Sequence, residues 1–513
     1  MKKIFALVMT VSLLLSALCV TALAADAPTG VVLRVSGEIE GGDGKVQHIQ
    51  DYTVFDDGWN AAMKLAGDYK WMKANGYSRV VVDLLADWEA VDGEFTDETD
   101  NGRGFNWDAI YFYYDVRITL NMNGHTIDRG LEVYQYNGEV MYVDDGADVI
   151  INGGKSGDPI IGPGEDPGDV QMGTITGGFS CNGAGGIHIN DDARVTLNNV
   201  CLIGNTVEDD KGSAIAMYDD AELTMNGGCM SNNSFTTVED AWQWCEGTLY
   251  VEDAKAVLNK VTFSGNEPPT SASFMGGLVV SMDGDSEVTM DGCLVENNGV
   301  GNKSFASSLF YACDDDCVLT ITNTEIKNNG RPTSTMDNPS TLFNICGTLN
   351  MENCTVTGNK TVTIFNFYYN DYWYADIRKT TFSDNASQML YYSAEVTGDY
   401  SFAFTECTFN NNKGPWSDYV FNGNYKVPVT LTDCDLGNSN FSPNASKYFK
   451  FVDGYSTTLM GSNAVGSLFG DGSLSMVVAI LALAASIAAI GVSISSSKKI
   501  ATAKAGEAKE DEE

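Results

Sequence analysis

Pairs of acidic residues recur directly before short strands, where their carboxylates could bind a metal ion. The pairs are Asp191-Asp192, Asp219-Asp220 and Asp315-Asp316. Aspartate suits tight bends, so a structural role explains these pairs without any ligand. In stacked repeats, however, the carboxylates repel one another unless water or a cation lies between them. Ca²⁺, which takes about six to eight oxygen ligands, would bridge the carboxylates. Calcium binding is therefore a second hypothesis, besides a structural role of aspartate at the bends.

His188 is the histidine best placed for acid–base chemistry. It alternates with Ile187 and Ile189 and therefore points outward if they point into a core, near Asp191 and Asp192. These three residues could form a general acid–base cluster. A surface histidine without a catalytic role is the alternative, and basic residues are scarce along the repeats. The sequence therefore favours a noncatalytic protein.

Two aromatic clusters are candidates for binding a ligand. One extends from Phe365 to Tyr374 and the other contains two nearby tryptophans. Aromatic faces beside Asn and Asp can stack on sugar rings or form a protein-binding patch, although filling of the core is an equally good explanation. The predicted ligand-binding residues are Tyr368, Tyr369, Tyr372, Trp373, Tyr374, Trp242 and Trp244.

Short repeated strands must position all these side chains. Each repeat has an apolar-polar-apolar strand such as Val195-Thr196-Leu197, then Asn or Gly, then a second short strand and a terminal Asn. The repeats follow one another at intervals of roughly 26 to 33 residues, a period typical of solenoids. We expect Asn amides to stack at left-handed bends. The terminal residues are Asn205, Asn298, Asn329, Asn359, Asn385, Asn412 and Asn438.

The repeat resembles that of the pectin-lyase-like right-handed β-helix superfamily. The resemblance rests on Gly185 to Ile189, Ala193 to Leu197 and Gly204-Asn205, and Leu120 to Ile127 is similar to the first coil of bacterial surface proteins of that superfamily. It covers about residues 116–440 and implies an all-β, right-handed parallel β-helix. It implies little about activity, because function depends on sites grafted onto the scaffold. The superfamily's lyases use calcium-binding acids with an Arg or Lys base, and we find no match to the motifs of its hydrolases.

The two ends of the chain predict export and a membrane anchor. Lys2-Lys3, an apolar run from Ile4 and the motif Ala22-Leu23-Ala24 are typical of a signal peptide. The stretch from Leu474 to Ile494 is long and apolar enough to span a bilayer, and two lysines follow it. The predicted organisation is a signal peptide (1–24), an N-terminal cap (25–115), a right-handed parallel β-helix (116–440), a terminal rung and spacer (441–472), a transmembrane helix (473–495) and a cytoplasmic tail (496–513).

The predicted cap is a small α/β block over the first coil. Asp57 is the expected N-cap of one helix that ends near Asn75, and Arg79 to Leu85 is expected to form a buried strand. The apolar stripe of that helix predicts a buried face. Its members are Trp59, Met63, Ala66 and Tyr69.

Cysteine usage leaves the redox state open. The chain has 12 cysteines, one of which, Cys19, lies in the predicted signal peptide. Those at equivalent repeat positions, Cys293, Cys354, Cys407 and Cys434, are expected to stack as small apolar side chains inside the coil. Disulfide formation is the alternative to free thiols in an exported protein. The pairs that could form it are Cys201/Cys229, Cys313/Cys346 and Cys407/Cys434. Parallel Cβ vectors orient such sulfurs poorly, so free thiols are favoured. No Cys-x-x-Cys pair is present, which argues against zinc.

Charge and organisation together define the expected function. The net charge is −39, with 69 acidic and 30 basic residues, which opposes binding to nucleic acid. We expect a bacterial cell-surface protein with an extracellular body, anchored by a single membrane helix and acting as a noncatalytic adhesin or carbohydrate-binding protein. Its partner would be a glycan or a protein on a host or neighbouring cell. The alternatives are a polysaccharide lyase or glycoside hydrolase acting on acidic glycans, and an architectural spacer. No cofactor other than calcium is indicated.

Overall fold

The computed structural model describes the central part of the chain and divides it into two compact units. Unit 1 is Met1–Thr236 with Asp253–Thr262, and unit 2 is Thr237–Glu252 with Phe263–Glu513. The predicted signal peptide, transmembrane helix and Asn438 lie outside the described residues, and within those residues no helix is long and apolar enough to cross a membrane. The described residues are 30–90, 105–106, 109–208, 210–236, 244–269, 274–301, 308–330, 341–367, 372–392, 399–414, 429–437 and 449–452.

Unit 1 is a parallel β-helix whose coils form because apolar and polar residues alternate along each strand. In one coil, the strand Ile187–Ile189 is followed by Arg194–Asn198 and then by Val200–Ile203. Val195 and Leu197 point inward and are buried. Burial of each such side chain contributes roughly 1.5–3 kcal/mol, so the alternation fixes which side of every strand faces the core.

Four sheets, A1 to D1, run along unit 1. Sheet A1 contains the parallel strands Tyr77–Leu84, Arg117–Asn121, Asp148–Asn152, Arg194–Asn198, Glu222–Asn226 and Lys255–Asn259, preceded by the antiparallel strands Val46–Tyr52 and Leu33–Ile39. Sheet B1 contains Trp88–Glu89, Thr126–Asp128, Gly173–Thr176, Val200–Ile203 and Cys229–Ser231. Sheet C1 contains Phe105–Asn106, Ala109–Phe112, Met141–Val143, Ile187–Ile189 and Ile215–Met217. Sheet D1 contains Phe179–Ser180, Thr206–Glu208 and Ser234–Thr236.

Unit 2 repeats this design with three main parallel sheets, A2 to C2. Sheet A2 contains Glu287–Asp291, Val318–Thr322, Gly347–Glu352, Tyr372–Arg378, Asp399–Thr405, Val429–Thr432 and Phe449–Val452. Sheet B2 contains Thr262–Ser264, Leu294–Glu296, Glu325–Lys327, Thr355–Thr357, Thr381–Ser383 and Thr408–Asn410. Sheet C2 contains Leu249–Glu252, Gly277–Asp283, Ser308–Ala312, Thr341–Ile345, Thr363–Phe367 and Gln388–Tyr392. Trp244–Cys245 pairs separately with Phe274–Met275.

The corners before sheet A1 consist of residues in the left-handed conformation. Asp191 and Asp192 have φ of 46° and 57°, and Asp219 and Asp220 have φ of 52° and 59°. Aspartate tolerates this region better than most residues. The Asp192 N–H donates to the Asp219 carbonyl at 2.9 Å, which joins successive corners. The bend therefore accounts for these two pairs, whereas Asp315 and Asp316 precede a sheet A2 strand without adopting positive φ.

An asparagine ladder runs through the interior of unit 2, as the repeat predicts. The Asn298 Nδ2 donates to Asn329 Oδ1 at 3.0 Å, and Asn329 Nδ2 donates to Asn359 Oδ1 at 3.0 Å. Asn385 and Asn412 continue the ladder, and all five are buried. One detail of the prediction was wrong, since the left-handed residue is the one before each ladder position. These residues are Asn297, Asn328, Gly358, Asp384 and Asn411.

The N-terminal block contains two helices instead of the predicted one. Helix α1 is Phe55–Gly67 and helix α2 is Tyr69–Asn75. The chain breaks at Asp68 because its carboxylate accepts the N–H of Trp71 at 2.9 Å and caps α2. Asp57 lies inside the first turn of α1, and Val54 occupies the N-cap position. Trp59, Met63 and Ala66 are buried as predicted, whereas Tyr69, beyond the break, is 72% exposed.

The 11 described cysteines carry thiols. Cys293, Cys354, Cys407 and Cys434 are buried, in agreement with their predicted inward position. Several of these thiols donate to backbone carbonyls, such as Cys354 to Ile321 at 3.4 Å. Sulfurs of adjacent coils approach each other, since Cys229 Sγ and Cys201 Sγ lie 2.7 Å apart and Cys407 and Cys434 also form a side-chain hydrogen bond.

Candidate ligand-binding face

Sheet C1 carries a column of neighbouring rings on its outward side, which we call the aromatic column. Tyr111, Tyr142 and His188 occupy one outward position in successive strands. Their inward neighbours, such as Ile187 and Ile189, are fully buried, so the alternation of each strand places the rings outside. Ring centroids lie 5.5 Å apart for Tyr111–Tyr142 and 4.5 Å apart for Tyr142–His188.

Tyr218 completes the aromatic column in the next coil. The outward residue of that strand is Ala216, which is too small to cover the imidazole. The ring of Tyr218, two residues later, fills this space with its centroid 5.1 Å from that of His188. Tyr142, His188 and Tyr218 are all half-buried. The column therefore retains an accessible outer edge.

A second set of polar groups stands two residues after the outward positions, and we call it the polar column. It contains Asp144, Asn190 and Tyr218, one per coil and each half-buried. The Tyr111 hydroxyl donates to Asp144 Oδ2 at 3.0 Å. The Asn190 amide donates to Asp191 Oδ2 at 3.0 Å. The face thus carries an acid, an amide and a tyrosine at equivalent positions of successive coils.

His188 does not form the predicted acid–base cluster. Its Nδ1 has neither solvent contact nor a hydrogen-bond partner, and it bonds neither Asp191 nor Asp192, which are both exposed. The backbone of Gly183 covers this nitrogen so closely that a Cβ there would overlap it. The Gly183 N–H donates to Asp210 Oδ2 at 2.6 Å, which holds the covering loop in place.

Desolvation lowers the pKa of His188 to about 4, so the imidazole is neutral near pH 7. We expect stability to fall as pH drops from about 6.5 to 4, because the unfolded chain binds a proton there and the folded chain does not. The loss from this group is about 3 kcal/mol. His188→Phe, which keeps a ring at this position but cannot titrate, should remove the contribution, so the stability of the variant relative to the unmodified protein should increase as pH drops from about 6.5 to 4 in denaturant titrations.

The exposed Val133 provides the control for that prediction, because Val133→Phe introduces a ring without changing a titratable group. Its profile between pH 4 and 6.5 should run parallel to that of the unmodified protein. A His188→Phe profile parallel to that of the unmodified protein would mean that His188 is protonated in the folded state.

An acidic corner adjoins the aromatic column. Ligand oxygens of Asp144, Asp145 and Asp191 all lie within 4.8 Å of one another. Burial raises the pKa of Asp144, and the hydrogen bond from Tyr111 opposes the shift. Clustered carboxylate oxygens are the ligands that Ca²⁺ takes. Among the described residues, this group includes Asp191 but none of the other predicted calcium ligands, Asp192, Asp219, Asp220, Asp315 and Asp316.

Unit 1 contains a buried acid that was not predicted from the sequence. Glu139 is only 1% exposed and Arg129 is 4% exposed. The fully buried Ser180 donates to Glu139 Oε2 at 3.4 Å. Burial raises the pKa of Glu139 to about 8, although the charge of Arg129 opposes this. The alternation of the chain could have indicated this burial, because Glu139 is two residues before Met141 and four before Val143, which both point inward and are buried.

The predicted aromatic ligand-binding cluster falls mainly outside the described residues. Tyr368, Tyr369 and Trp242 lie in undescribed segments. Tyr372 and Trp373 belong to the strand Tyr372–Arg378, and Trp244 belongs to Trp244–Cys245, but their side chains are not described. Tyr374 is 46% exposed. The binding role of this cluster stays a prediction.

Comparison with known proteins agrees with the architecture. Residues 178–375 match the family model described as right handed beta helix region. This protein is a right-handed parallel β-helix. Neither the curated proteins nor the solved structures give a match to this chain. The matched range of the β-helix includes His188, Asp191 and Tyr218. Such a β-helix fits surface, carbohydrate-binding and lyase-like proteins alike, so the choice among them rests on the side chains.

Proposed function

We propose that this β-helix is a noncatalytic, carbohydrate-binding surface protein and that the aromatic and polar columns of unit 1 are its binding face. One observation carries the proposal. Asp144, Asn190 and Tyr218 offer one hydrogen-bonding group per coil beside the stacked rings. Successive coils are separated by about 4.8 Å, a spacing close to the length of one sugar ring. A glycan chain lying along the helix axis would therefore meet an equivalent polar group at each sugar.

A noncatalytic role is favoured over a lyase or hydrolase by the state of His188. A general base works best when its pKa lies near the working pH, whereas His188 is held at a pKa of about 4. Its buried Nδ1 lacks a hydrogen-bonded carboxylate that would orient the ring. The imidazole therefore suits packing and stacking better than proton transfer.

Charge favours neutral glycans over acidic ones. The chain carries a net charge of −39, and a surface of that sign repels polyanions. Calcium at Asp144, Asp145 and Asp191 would reduce the repulsion locally and give uronates a ligand to bind. We therefore propose neutral glycans as the main class of ligand. Acidic glycans would bind only in the presence of Ca²⁺, which an experiment with and without calcium can distinguish.

The proposed location is the cell surface. It rests on the predicted signal peptide (1–24) and on the predicted transmembrane helix (473–495) with the lysines that follow it. A glycan or a protein on another cell would reach the β-helix in that position.

A glycan array probed with the full-length protein, in calcium and in chelator, tests the binding face. Tyr218→Ala removes both a ring and a hydroxyl, and we expect affinity to fall about tenfold to hundredfold, which corresponds to roughly 1.4–2.8 kcal/mol. Tyr218→Phe should retain the stack and lose only the contribution of the hydroxyl. The matched control is Tyr69→Ala, which removes an exposed tyrosine of helix α2 and should bind as the unmodified protein does.

The same samples distinguish the alternatives. Release of shortened or unsaturated oligosaccharides would overturn the noncatalytic proposal. Equal losses for Tyr218→Ala and Tyr69→Ala would place the binding face elsewhere. Absence of binding to every glycan in both buffers would favour a protein partner or a spacer.

A further inference from the structure

Cys201 and Cys229 face each other in neighbouring coils of unit 1. They are direct register partners in sheet B1, and their Sγ atoms lie 2.7 Å apart. Parallel neighbours in a sheet have Cα atoms about 4.8 Å apart, within the usual range of about 4.4–6.8 Å for a disulfide. The two backbones therefore need not move for the sulfurs to bond.

The surroundings of this pair differ from those of the other stacked cysteines. Cys354 is satisfied by carbonyls, since it donates to Ile321 and Glu352 at 3.4 and 3.3 Å. The sulfurs of Cys201 and Cys229 contact each other, Met172 Sδ lies 3.9 Å from Cys201 Sγ, and the side chain of Ser231 forms a hydrogen bond with Cys229. Each thiol thus has another sulfur as its main polar neighbour.

One member of the pair is suited to begin an exchange reaction. Cys229 is half-buried, whereas Cys201 is buried. The S–H of one cysteine stabilises the thiolate of the other, which lowers the pKa of Cys229 and raises that of Cys201. The more accessible residue therefore also carries the thiol that ionises more readily.

We infer that Cys201 and Cys229 form a disulfide that joins two successive coils of unit 1. The Cys229 thiolate attacks the disulfide of an oxidant, such as oxidised glutathione or an exported dithiol oxidase, and releases one thiol of that oxidant. The Cys201 thiolate then attacks Cys229 Sγ in the mixed disulfide and releases the second thiol. The two cysteines lose two electrons, which reduce the oxidant disulfide, and their two protons end on the released thiols.

The bond would close a loop of chain that contains Tyr218. The cysteines are 28 residues apart, and the strand Ile215–Met217 lies between them. A cross-link stabilises a fold mainly by restricting the unfolded chain, and it also holds its two coils in register. This inference stands independently of glycan binding.

Thiol mapping of the full-length protein tests the disulfide. The protein is incubated with oxidised glutathione, unfolded, alkylated with iodoacetamide without reduction, digested and analysed by mass spectrometry. Peptides containing Cys201 and Cys229 should be recovered as one linked species, and both should become alkylated only after reduction. The neighbour of Cys354 in the adjacent coil is a threonine, Thr380, whose Oγ1 accepts the Cys354 N–H. Cys354 should therefore be alkylated before any reduction. Alkylation of Cys201 and Cys229 before reduction would overturn the inference.

Serine variants separate this pairing from any other. In Cys229→Ser, Cys201 should become alkylatable without reduction, and reductant should no longer lower the denaturation midpoint to the extent seen in the unmodified protein. Cys354→Ser is the matched control and should keep both the linked peptide and the effect of reductant. Protection of Cys201 in Cys229→Ser would mean a different partner and would also overturn the inference.

Discussion

Replacing Asn329 with alanine is expected to lower the free energy of unfolding by about 3–5 kcal/mol, because one ladder side chain satisfies several buried groups. Its Oδ1 accepts the backbone N–H and the Nδ2 of Asn298, both at 3.0 Å. Its Nδ2 donates to the Val295 carbonyl at 2.9 Å and to Asn359 Oδ1 at 3.0 Å. Alanine offers none of these contacts, and the closed interior of the coil gives water no simple route to replace them.

Denaturant titration of the full-length protein measures this loss. The matched control is Asn410→Ala, an exposed asparagine at the end of the strand Thr408–Asn410. A surface substitution of that kind changes stability by about 0.5 kcal/mol or less. Comparable values for Asn329→Ala and Asn410→Ala would mean that the ladder contributes little to stability.

The sequence predicts the coils well because their determinants are local. Alternation sets the inward side of each strand, as for Val195 and Leu197, and the spacing of terminal asparagines sets the period of the ladder. The one-residue error at the bends has a physical cause. Gly and Asn both tolerate left-handed φ, so a pair such as Asn328-Asn329 does not itself indicate which member bends.

The cap helix shows a competition between two local signals. Apolar spacing from Trp59 to Tyr69 is consistent with one continuous helix, and this periodicity led to the prediction. Asp68 instead caps α2 through the N–H of Trp71, and its backbone is not helical. Capping overrides periodicity here, and Gly67, a poor helix former, weakens the end of the preceding helix.

The candidate site could be predicted only in part because it combines residues from different coils. The outward direction of His188 follows from alternation, but its burial depends on Gly183 and Asp210 in two separate loops. The closeness of Asp144 to Asp191 depends on the pairing of two strands, Met141–Val143 and Ile187–Ile189, that are far apart in the sequence. No local sequence pattern predicts these distances. The pKa shifts of His188 and Asp144 could therefore be inferred only from the folded structure.

Glu139→Gln is expected to remove a contribution that lowers the stability of the protein between about pH 4.5 and 8. The pKa of Glu139 is raised to about 8 in the folded protein by burial, and it returns to its ordinary value near 4.5 on unfolding. Between these values the folded chain binds a proton that the unfolded chain has released, so stability falls as pH rises. The full shift corresponds to about 4–5 kcal/mol, and glutamine mimics the neutral carboxyl at every pH.

The direction of the change of stability with pH distinguishes Glu139 from His188. His188 makes stability rise with pH between about 4 and 6.5, whereas Glu139 makes it fall. The two contributions oppose each other at mildly acidic pH, so the unmodified protein should show a shallow maximum that neither variant retains. Denaturation midpoints of Glu139→Gln should rise from about pH 4.5 to 6.5, where His188 acts alone, and should remain level from about pH 6.5 to 8, where those of the unmodified protein fall. The matched control is Glu132→Gln, an exposed glutamate in the same segment, and it should follow the unmodified protein. If Glu139→Gln also declines toward pH 8, then Glu139 is ionised in the folded state and Arg129 stabilises it as a buried ion pair.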